Sequence, residues 1–427
     1  MNALLGLYRA GAVMAGPLAP LWLRTRLRRG KEDAARLGER LGVAGLPRPP
    51  GSLVWLHGAS VGESLSLLPL VRRLSGSPVL VTTGTLSSAN LMAERLPPGA
   101  LHQFAPLDLP GAVDRFLDHW RPALALVAES ELWPNTVAAI RRGRIPLGLV
   151  NGRLSPRSHA RWRRAPGAIR AVLGSFDMVL AQSADDATRL LSLGARHVEV
   201  TGNLKFDAGA PAADPAALDR LREAVGTRPL WLAASTSPDE DALLIDVQRT
   251  LQGQRPDLLA IVVPRHVDRG GALADAAAAA GLRVARRALG QPPDPATQLY
   301  VADTMGELGS FYRLARAVFV GKSLAGEGGG QNPLEPAALG CAVLHGPRVG
   351  NFVDIYRDLD RLGGAMEVVD GLALASALRI LLDDGPRRDA MGRAASDAAR
   401  AGRGATNRTL AALRPLLVRA GVPVPPA

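Results

Sequence analysis

The sequence predicts an α/β protein built from two doubly wound parallel sheets. Short apolar runs rich in Val and Leu alternate with longer helical stretches, which is typical of parallel strands that helices cover on both faces. This alternation occurs twice along the 427 residues, and a Pro- and Ala-rich segment at residues 209–216 separates the two series. The chain also exceeds the roughly 250–300 residues at which a single core stops growing, so two domains are expected.

Composition narrows the possible functions. Hydrophobic residues make up 47% of the chain and aromatic residues only 4%, so we expect cores built mainly from Ala, Leu and Val. The net charge of +12 favours an anionic partner, such as a phosphate group or an acidic membrane. The sequence has no basic–aromatic interleaving of the kind that binds RNA, so nucleic acid is not expected as a partner. The single cysteine, Cys341, fits a reducing cytoplasm and is typical of a small core residue.

The first element along the chain is an apolar N-terminal segment with a basic flank, residues 1–31. Residues 3–23 are mostly apolar apart from Arg9, and basic residues follow at positions 24, 26, 28, 29 and 31. A secretory signal peptide has its charge before the apolar stretch, so this order argues against one. Basic residues beside a membrane segment contact anionic headgroups on the cytoplasmic side. We expect a single anchor in or on a membrane; the alternative is an amphipathic helix packed on the first domain.

Strand candidates follow the anchor in two series. The first series comprises residues 53–56, 79–82, 124–127, 147–150, 178–181 and 198–201. The second comprises residues 230–233, 259–263, 299–301, 317–320 and 342–344. These series predict domains at residues 32–208 and 217–400, with a C-terminal helix at residues 401–427 that can pack back on the N-terminal domain. Ligands of such sheets bind where parallel strands end, so the informative residues should directly follow the candidates.

The first strand runs into a small-residue turn that opens a helix, WLHGASVGE at residues 55–63. Glu63 lies in the first turn of that helix, where the helix dipole favours a carboxylate. It can act as a general base at the end of the sheet where ligands bind, or it can simply cap the helix. The phosphate-binding pattern GxxxxGK[ST] is absent from this turn, so a P-loop NTPase is excluded.

A pair of carboxylates follows the strand at residues 124–127. Glu129 and Glu131 lie in the stretch AESELWPN, and Pro134 suits the first turn of the next helix. Carboxylates at a strand end can bind a metal, position a hydroxyl group or cap a helix. A metal would require further oxygen ligands nearby, and an Asp-x-Asp pattern is missing here.

Two basic segments follow the next strands of the first domain. The stretch NGRLSPRS at residues 151–158 suits phosphate recognition or is an ordinary solvated loop. Lys205 lies in TGNLKFD at residues 201–207, just before the linker. A cation at that position can neutralise a developing phosphate charge.

The second domain has several segments suited to a nucleotide. AASTSPDE at residues 233–240, VPRHVDR at residues 263–269 and DTMGEL at residues 303–308 each follow a strand candidate. The glycine-rich loop VGKSLAGEGGGQNPLE at residues 320–335 leads into a helix and can expose backbone N–H groups to an anion. Arg265 can bind a phosphate or a base, and Glu335 is placed to accept hydrogen bonds from a ribose.

Together these motifs resemble the 3-deoxy-D-manno-octulosonic acid (Kdo) transferases of lipopolysaccharide synthesis. The resemblance extends from the N-terminal segment to about residue 420. The segments that carry it are residues 60–63, 129–135, 151–155, 204–207, 264–266, 303–307 and 332–335. It implies a GT-B fold, in which two Rossmann-like domains face a central cleft. It also implies inverting transfer of Kdo from CMP-Kdo to a lipid A precursor of the lipid IVA type, at the cytoplasmic face of the inner membrane.

The resemblance also implies residue roles. Glu63 resembles the catalytic base, and Glu129 and Lys205 resemble the residues that support the transition state. No metal and no cofactor are expected besides the donor substrate. The set that resembles the CMP site comprises Pro264, Arg265, Met305, Gly306, Glu307, Asn332, Pro333, Leu334 and Glu335.

The sequence departs from the family pattern at three positions. Gly58 follows His57 where the family often has Ser, Lys322 stands where a glycine is expected, and Gln331 where some members have His. These departures affect details of the donor pocket and leave the expected base in place. The alternatives are a GT-B transferase that uses another nucleotide sugar on a lipid acceptor, a sugar-nucleotide epimerase, and a membrane-associated nucleotide-binding protein without turnover. The last alternative gives no reason for Glu63, Glu129 and Lys205 at three separate strand ends.

Overall fold

The chain divides into two compact units, Met1–Ala208 together with Gly402–Ala427, and Gly209–Ala401. The computed structural model describes residues 2–425. Each unit contains a parallel sheet with helices on both faces, which confirms the prediction of two doubly wound sheets.

The sheet of unit 1 has the strand order β3-β2-β1-β4-β5-β6-β7. Its strands are β1 (Val54–His57), β2 (Val79–Thr83), β3 (Leu101–Phe104), β4 (Leu124–Ala128), β5 (Leu147–Gly152), β6 (Met178–Ala181) and β7 (Val198–Val200). Its helices before the second unit are α1 (Ala3–Ala15), α2 (Ala19–Arg28), α3 (Leu37–Arg40), α4 (Val61–Arg73), α5 (Leu86–Arg95), α6 (Pro110–Trp120), α7 (Pro134–Arg142), α8 (Pro156–Trp162), α9 (Pro166–Leu173) and α10 (Ala184–Ser192).

The sheet of unit 2 has the strand order β10-β11-β9-β8-β12-β13-β14. Its strands are β8 (Leu230–Thr236), β9 (Leu259–Pro264), β10 (Val284–Arg286), β11 (Leu299–Val301), β12 (Ala317–Val320), β13 (Ala342–His345) and β14 (Ala365–Glu367). Its helices are α11 (Pro215–Val225), α12 (Asp241–Gln252), α13 (Gly270–Ala279), α14 (Leu308–Leu314), α15 (Leu334–Ala338), α16 (Val353–Arg361), α17 (Gly371–Asp383) and α18 (Gly385–Ala401).

The central strands are continuous apolar runs because both of their faces are buried. In β1, Trp55 packs in one hydrophobic cluster with Phe116, while Val54 and Leu56 pack in another on the opposite face. The sequence prediction missed β3, β10 and β14. Each of these lies at an edge of its sheet and includes polar or charged residues, so none forms the apolar run by which the central strands were found.

Helix α19 (Ala405–Arg419) returns to unit 1. Leu413 and Leu417 are fully buried and join the cluster that contains Val54 of β1. Asp207 accepts hydrogen bonds from the N–H of Gly404 at 2.7 Å and of Thr406 at 2.5 Å, so it caps the start of α19. The final helix therefore completes the core of the N-terminal unit.

The N-terminal segment is helical from Ala3 to Arg28, and only 6% of its most apolar window is buried. By length and composition it can cross a membrane. It also contacts unit 1, because the Tyr8 hydroxyl donates to Asp108 Oδ2 at 2.9 Å and Leu23 is buried. The structure thus combines features of both expectations, an anchor and a helix packed on the first domain.

Each sheet reverses its strand order beside its first strand. In unit 1 the reversal separates β1 from β4, and in unit 2 it separates β8 from β12. Loops that leave adjacent strands at such a point diverge and form a crevice. The turn with Glu63 follows β1, and the segment with Glu129 and Glu131 follows β4, so the structure brings these two motifs to one crevice of unit 1.

Candidate active site

Glu63 belongs to a capping box at the start of α4. The Ser60 hydroxyl accepts from the Glu63 N–H at 3.3 Å and donates to Glu63 Oε1 at 2.9 Å. The Ala59 N–H donates to Glu63 Oε2 at 2.7 Å. The structural alternative for Glu63, a helix cap, is therefore realised in this structure.

The surroundings of Glu63 also suit a proton acceptor. Burial raises the pKa of its carboxyl group above the ordinary value, and the charges of Glu131 and Glu129 raise it further, against the hydrogen bonds from Ser60 and Ala59. A carboxylate with a raised pKa takes up a proton more readily than a solvated glutamate does. Capping and base catalysis are thus compatible at this position.

Glu129 and Lys205 form a largely buried ion pair. Lys205 Nζ lies 2.7 Å from Glu129 Oε1, and the side chains are 10% and 11% exposed. Glu129 has a φ of 53°, a left-handed conformation that is uncommon for a residue with a side chain and that occurs mostly where surrounding contacts enforce it. The N–H of Leu204 donates to Asn151 Oδ1 at 2.9 Å and so ties the segment before Lys205 to the end of β5. Lys205 is therefore a paired cation in this structure.

Glu131 faces a different set of partners. Trp133 Nε1 donates to Glu131 Oε2 at 2.5 Å, and His57 Nε2 lies 3.5 Å from the same oxygen. Burial acts to raise the pKa of Glu131, but the hydrogen bonds of His57 and Trp133 outweigh it, and the pKa lies below the ordinary value. Glu131 is thus held ionised close to Glu63, whereas Glu63 is the carboxyl group more easily protonated.

Asp108 holds the end of the loop after β4, which contains Glu129 and Glu131. Its carboxylate accepts from the N–H of Asn135 at 3.1 Å and of Thr136 at 2.7 Å, at the start of α7. Its Oδ2 atom also accepts the hydrogen bond of Tyr8 from the N-terminal helix. The N-terminal helix and the loop after β4 therefore share one hydrogen-bonding residue.

The two carboxylates that follow β4 both contact protein side chains. Glu129 contacts Lys205, and Glu131 contacts His57 and Trp133. Among residues 2–425, no group of three or more His, Cys, Asp or Glu side chains is arranged to hold a metal ion.

In the basic segment that follows β5, Arg157 and the arginines at positions 161, 163 and 164 are exposed. Their exposure fits both phosphate recognition and an ordinary solvated loop.

In unit 2, the glycine-rich loop connects β12 to α15. Gly326, Gly328, Gly329 and Gly330 all have positive φ, so the loop has a backbone path that favours glycine. Asn332 Oδ1 accepts from the Leu334 N–H at 3.1 Å, and Asn332 Nδ2 lies 3.4 Å from Glu335 Oε1. Pro333 is the residue immediately before α15 rather than its first residue, and Leu334 is buried.

The other residues expected to bind the nucleotide-sugar donor lie at or after the ends of β9 and β11 in unit 2. Pro264 is the last residue of β9, and Arg265 is exposed directly after it. Met305 is 68% exposed. Glu307 is ion-paired to Arg287 at 2.5 Å, and this arginine lowers the pKa of Glu307 below its ordinary value, so Glu307 is ionised.

Comparison with known proteins decides the family. Residues 35–208 match the family described as 3-deoxy-D-manno-octulosonic-acid transferase (kdotransferase). A 3-deoxy-D-manno-octulosonic acid transferase of Bordetella pertussis is 38% identical over 96% of this chain and 98% of its own length. The chain belongs to the Kdo transferase family. The Kdo transferase of Haemophilus influenzae is 34% identical over 90% of this chain and 92% of its own length.

A solved structure agrees with the fold expected of a Kdo transferase. The structure of MnaA from S. aureus with UDP matches 86% of this chain and 98% of its own length, with a TM-score of 0.58 and 15% sequence identity. At this identity the likeness concerns the fold alone. The expected two-domain GT-B fold is confirmed, and the chain is a glycosyltransferase.

Three side chains of this Kdo transferase lie at the two sites but were not predicted from the sequence. His57 is the last residue of β1, and a histidine at the end of a buried strand can point into the crevice, where it lies close to Glu131. Arg287 follows β10, a strand that the apolar pattern did not reveal. Glu240 lies in the segment 233–240, which was predicted to suit a nucleotide, but its side chain is fully buried.

Proposed function

We propose that this enzyme transfers Kdo from CMP-Kdo to a hydroxyl group of a lipid A precursor of the lipid IVA type, with inversion at the anomeric carbon and without a metal ion or other cofactor. The acceptor oxygen forms a bond to the anomeric carbon of Kdo as the bond between that carbon and the phosphate oxygen breaks. Glu63 takes the proton of the acceptor hydroxyl, and CMP departs with the electron pair of the broken bond.

The observation that carries the assignment of Glu63 as the base is its fixed position in the crevice, where both carboxylate oxygens are held and its pKa is raised. Burial disfavours a charge on Glu63, and the charges of Glu131 and Glu129 disfavour it further, so proton uptake during the reaction is favoured. A base of this kind combines a useful proton affinity with a fixed position, because Ser60 and Ala59 hold both carboxylate oxygens.

We assign support of the transition state to Glu129 and Lys205. Their ion pair is about nine-tenths buried, and charges in such a setting act more strongly on reacting groups than charges in water do. In this proposal the ammonium group of Lys205 offsets negative charge that develops on the leaving phosphate, which is the part that a metal ion plays in other transferases.

We assign the CMP part of the donor to unit 2. The supporting observation is that the expected donor residues lie at strand ends where ligands of parallel sheets bind. Pro264 ends β9, and Arg265, Met305, Gly306, Glu307 and the segment 332–335 lie in the segments that follow β9, β11 and β12. Arg265 and Met305 are exposed there, and Glu307 is an ionised acceptor for hydroxyl groups.

We further propose that the N-terminal helix lies in the cytoplasmic interface of the inner membrane without crossing it. Its outer face has a row of exposed apolar side chains, namely Leu4, Leu7, Met14, Leu18, Leu21 and Trp22. Its inner face is held on unit 1 by the Tyr8–Asp108 hydrogen bond and by buried Leu23. A crossing helix would have to give up these contacts, whereas an interfacial helix keeps them.

The helix orientation can be tested by replacing Leu7 or Leu18 with Cys, one at a time, in an otherwise Cys341→Ser chain. Membrane-impermeant maleimide is applied to inverted and right-side-out inner-membrane vesicles. An interfacial helix predicts that neither position is labelled from the periplasmic side. Labelling of Leu7→Cys from the periplasmic side would show that the helix spans.

The activity test is incubation of the full chain with CMP-Kdo and a tetraacylated lipid A precursor, followed by mass spectrometry of the lipid. The expected product gains the mass of one or more Kdo residues, and NMR of the new linkage shows inverted anomeric configuration. Parallel reactions contain UDP-sugars in place of CMP-Kdo, or EDTA. Product formation only with UDP-sugars would refute the donor, and activity that EDTA abolishes and a divalent ion restores would refute the metal-free mechanism.

A further inference from the structure

Glu240 is a buried carboxylate in unit 2, close to the point between β8 and β12 where the strand order reverses. It lies in the turn after β8, and its exposed fraction is 0%. Its Oε2 atom accepts from the Ser237 N–H at 2.9 Å and from the Ser237 hydroxyl at 3.1 Å. These bonds alone describe an ordinary capping box of its own short helical turn.

Three further bonds extend beyond this ordinary cap. The N–H of Lys322 donates to Oε2 at 2.7 Å, and the N–H groups of Ser323 and Leu324 donate to Oε1 at 3.0 and 3.1 Å. Three successive backbone N–H groups that converge on one site form an anion-binding concavity of the type that phosphates occupy elsewhere. In this protein the anion in that concavity is the side chain of Glu240.

The expectation that the glycine-rich loop exposes backbone N–H groups to a bound anion does not hold for its first turn. The N–H groups of residues 322–324 are already bonded to Glu240. Lys322 has a φ of 56°, which orients these groups toward the carboxylate at a position where related enzymes are expected to have glycine. The start of the loop is therefore set by an internal anion and not by the donor.

The start of the glycine-rich loop, which follows β12, is also in contact with the ends of β8 and β13. A Cβ atom on Gly321 would lie 2.7 Å from Thr236 Cα, so the ends of β8 and β12 are in close contact. The Ser323 hydroxyl donates to Val320 O at 2.6 Å and accepts from the Gly346 N–H at 2.8 Å, which links the loop to the end of β13. Glu240 thus holds the first turn of the loop within a close-packed junction of three strand ends.

We propose that Glu240 is a positioning residue for the donor, acting through the backbone of residues 322–324 on the shape of the glycine-rich loop and on residues 332–335 beyond it. This inference rests on the proposed function of that loop in binding the nucleotide donor. Glu240 does not touch the donor, because its side chain is 0% exposed and five protein N–H and O–H groups donate to its two oxygens. The loop is preorganised for CMP-Kdo before the donor arrives.

The wild-type protein provides a first test by amide hydrogen exchange with and without CMP. Internal bonding to Glu240 predicts that the amides of residues 322–324 exchange slowly in both conditions, because exchange requires local opening. Protection that appears only when CMP is added would show that these N–H groups bind the ligand, and would overturn the proposal. This measurement does not depend on whether any variant folds.

The second test is Glu240→Gln in the full chain. Either orientation of the new amide places its NH₂ group against backbone N–H donors, because donors approach both oxygens. The Kd for CMP and the KM for CMP-Kdo should rise roughly tenfold or more, since bonds to a charged group are lost, while the KM for the lipid acceptor changes less than about twofold. Glu240→Asp keeps the charge but is one methylene shorter, and should give an intermediate rise.

Glu39→Gln is the matched control. Glu39 is also a buried glutamate that accepts a backbone N–H, that of Phe104 at 2.7 Å, but it lies in unit 1. This control should reduce stability without a change in CMP affinity or in the KM for CMP-Kdo. Unchanged CMP affinity in folded Glu240→Gln, or an equal rise in both KM values, would refute a positioning role. If wild-type protein bound no CMP, the proposed donor site itself would be wrong.

Discussion

Substitution of Glu63 by Gln separates its two roles, base and helix cap. In the native protein the carboxylate accepts from the Ala59 N–H at 2.7 Å and from the Ser60 hydroxyl at 2.9 Å. A glutamine can keep both contacts, since its oxygen accepts from Ala59 and its NH₂ group donates to the Ser60 hydroxyl, which rotates to accept. The substitution also removes the repulsion that Glu131 and Glu129 exert on a charge at this position.

We therefore expect the substitution to lower the rate of Kdo transfer without a comparable loss of stability. The free energy of unfolding should stay within about 1 kcal/mol of the wild-type value or increase, because the cap is kept and a disfavoured charge is removed. The rate of Kdo transfer should fall about 10²- to 10⁴-fold, the usual contribution of a general base. That loss corresponds to roughly 3–5 kcal/mol of transition-state stabilisation at 1.36 kcal/mol per tenfold.

The pH dependence gives an independent check of the same reasoning. A base must be deprotonated to act, so kcat/KM falls as the pH drops through its pKa. Because burial and the neighbouring carboxylates raise the pKa of Glu63 above the ordinary 4.5, the acid limb should lie above that value in the wild-type enzyme. The folded state binds this proton more tightly than the unfolded state does, so the stability cost of Glu63 is present above its folded-state pKa and disappears as the pH falls to the unfolded-state value.

The assay measures transfer from CMP-Kdo to lipid acceptor as kcat and KM, together with urea unfolding of each variant. Ser60→Ala is the matched control, because it removes the cap but keeps the carboxylate. It should cost about 0.5–2 kcal/mol of stability, typical of a lost cap, and shift the acid limb to higher pH, since the Ser60 bond lowers the pKa of Glu63. Activity of Glu63→Gln within about threefold of wild type would refute the base assignment, whatever the stability result.

Three further predictions follow from the same structure. Lys205→Met leaves Glu129 buried without its cation, so the free energy of unfolding should fall by about 3–5 kcal/mol. The double variant with Glu129→Gln should recover most of this loss, and an unchanged free energy of unfolding in the single variant would contradict the pairing. Asp207→Asn removes one acceptor from the start of α19, so the free energy of unfolding should fall by about 1–3 kcal/mol with no change in the KM for CMP-Kdo, and equal stability would argue against the cap. Cys341 is buried and its pKa is raised to about 12, so the native protein should not react with thiol reagents at pH 8, and fast labelling would contradict its place in the core.

The central strands were predictable from the sequence because burial on both faces leaves a continuous apolar run. Strands β1, β2, β4, β8, β9 and β12 were all located to within a few residues. The edge strands β3, β10 and β14 were missed because an edge strand has one neighbour and tolerates polar residues. Cys341 was expected in the core and is buried there.

The candidate site was partly predictable for a similar reason. Polar residues in the segments that follow the strands lie at the ligand-binding end of a parallel sheet, which singled out Glu63, Glu129 and Lys205. Their partners were not predictable. The pairing of Lys205 with Glu129 and the contacts of Glu131 with His57 and Trp133 join loops that are distant along the chain.

The sequence by itself determined the two doubly wound sheets, the family and the strand ends at which chemistry can occur. Those features follow from local periodicity and from motifs that are contiguous in the chain. Only the tertiary structure decided which charge faces which. It brought α19 back to unit 1, placed Glu63 among carboxylates that raise its pKa, and filled the first turn of the glycine-rich loop with the carboxylate of Glu240. The charge state of a buried group depends on all the groups packed around it, and packing between distant segments has no local pattern in the sequence.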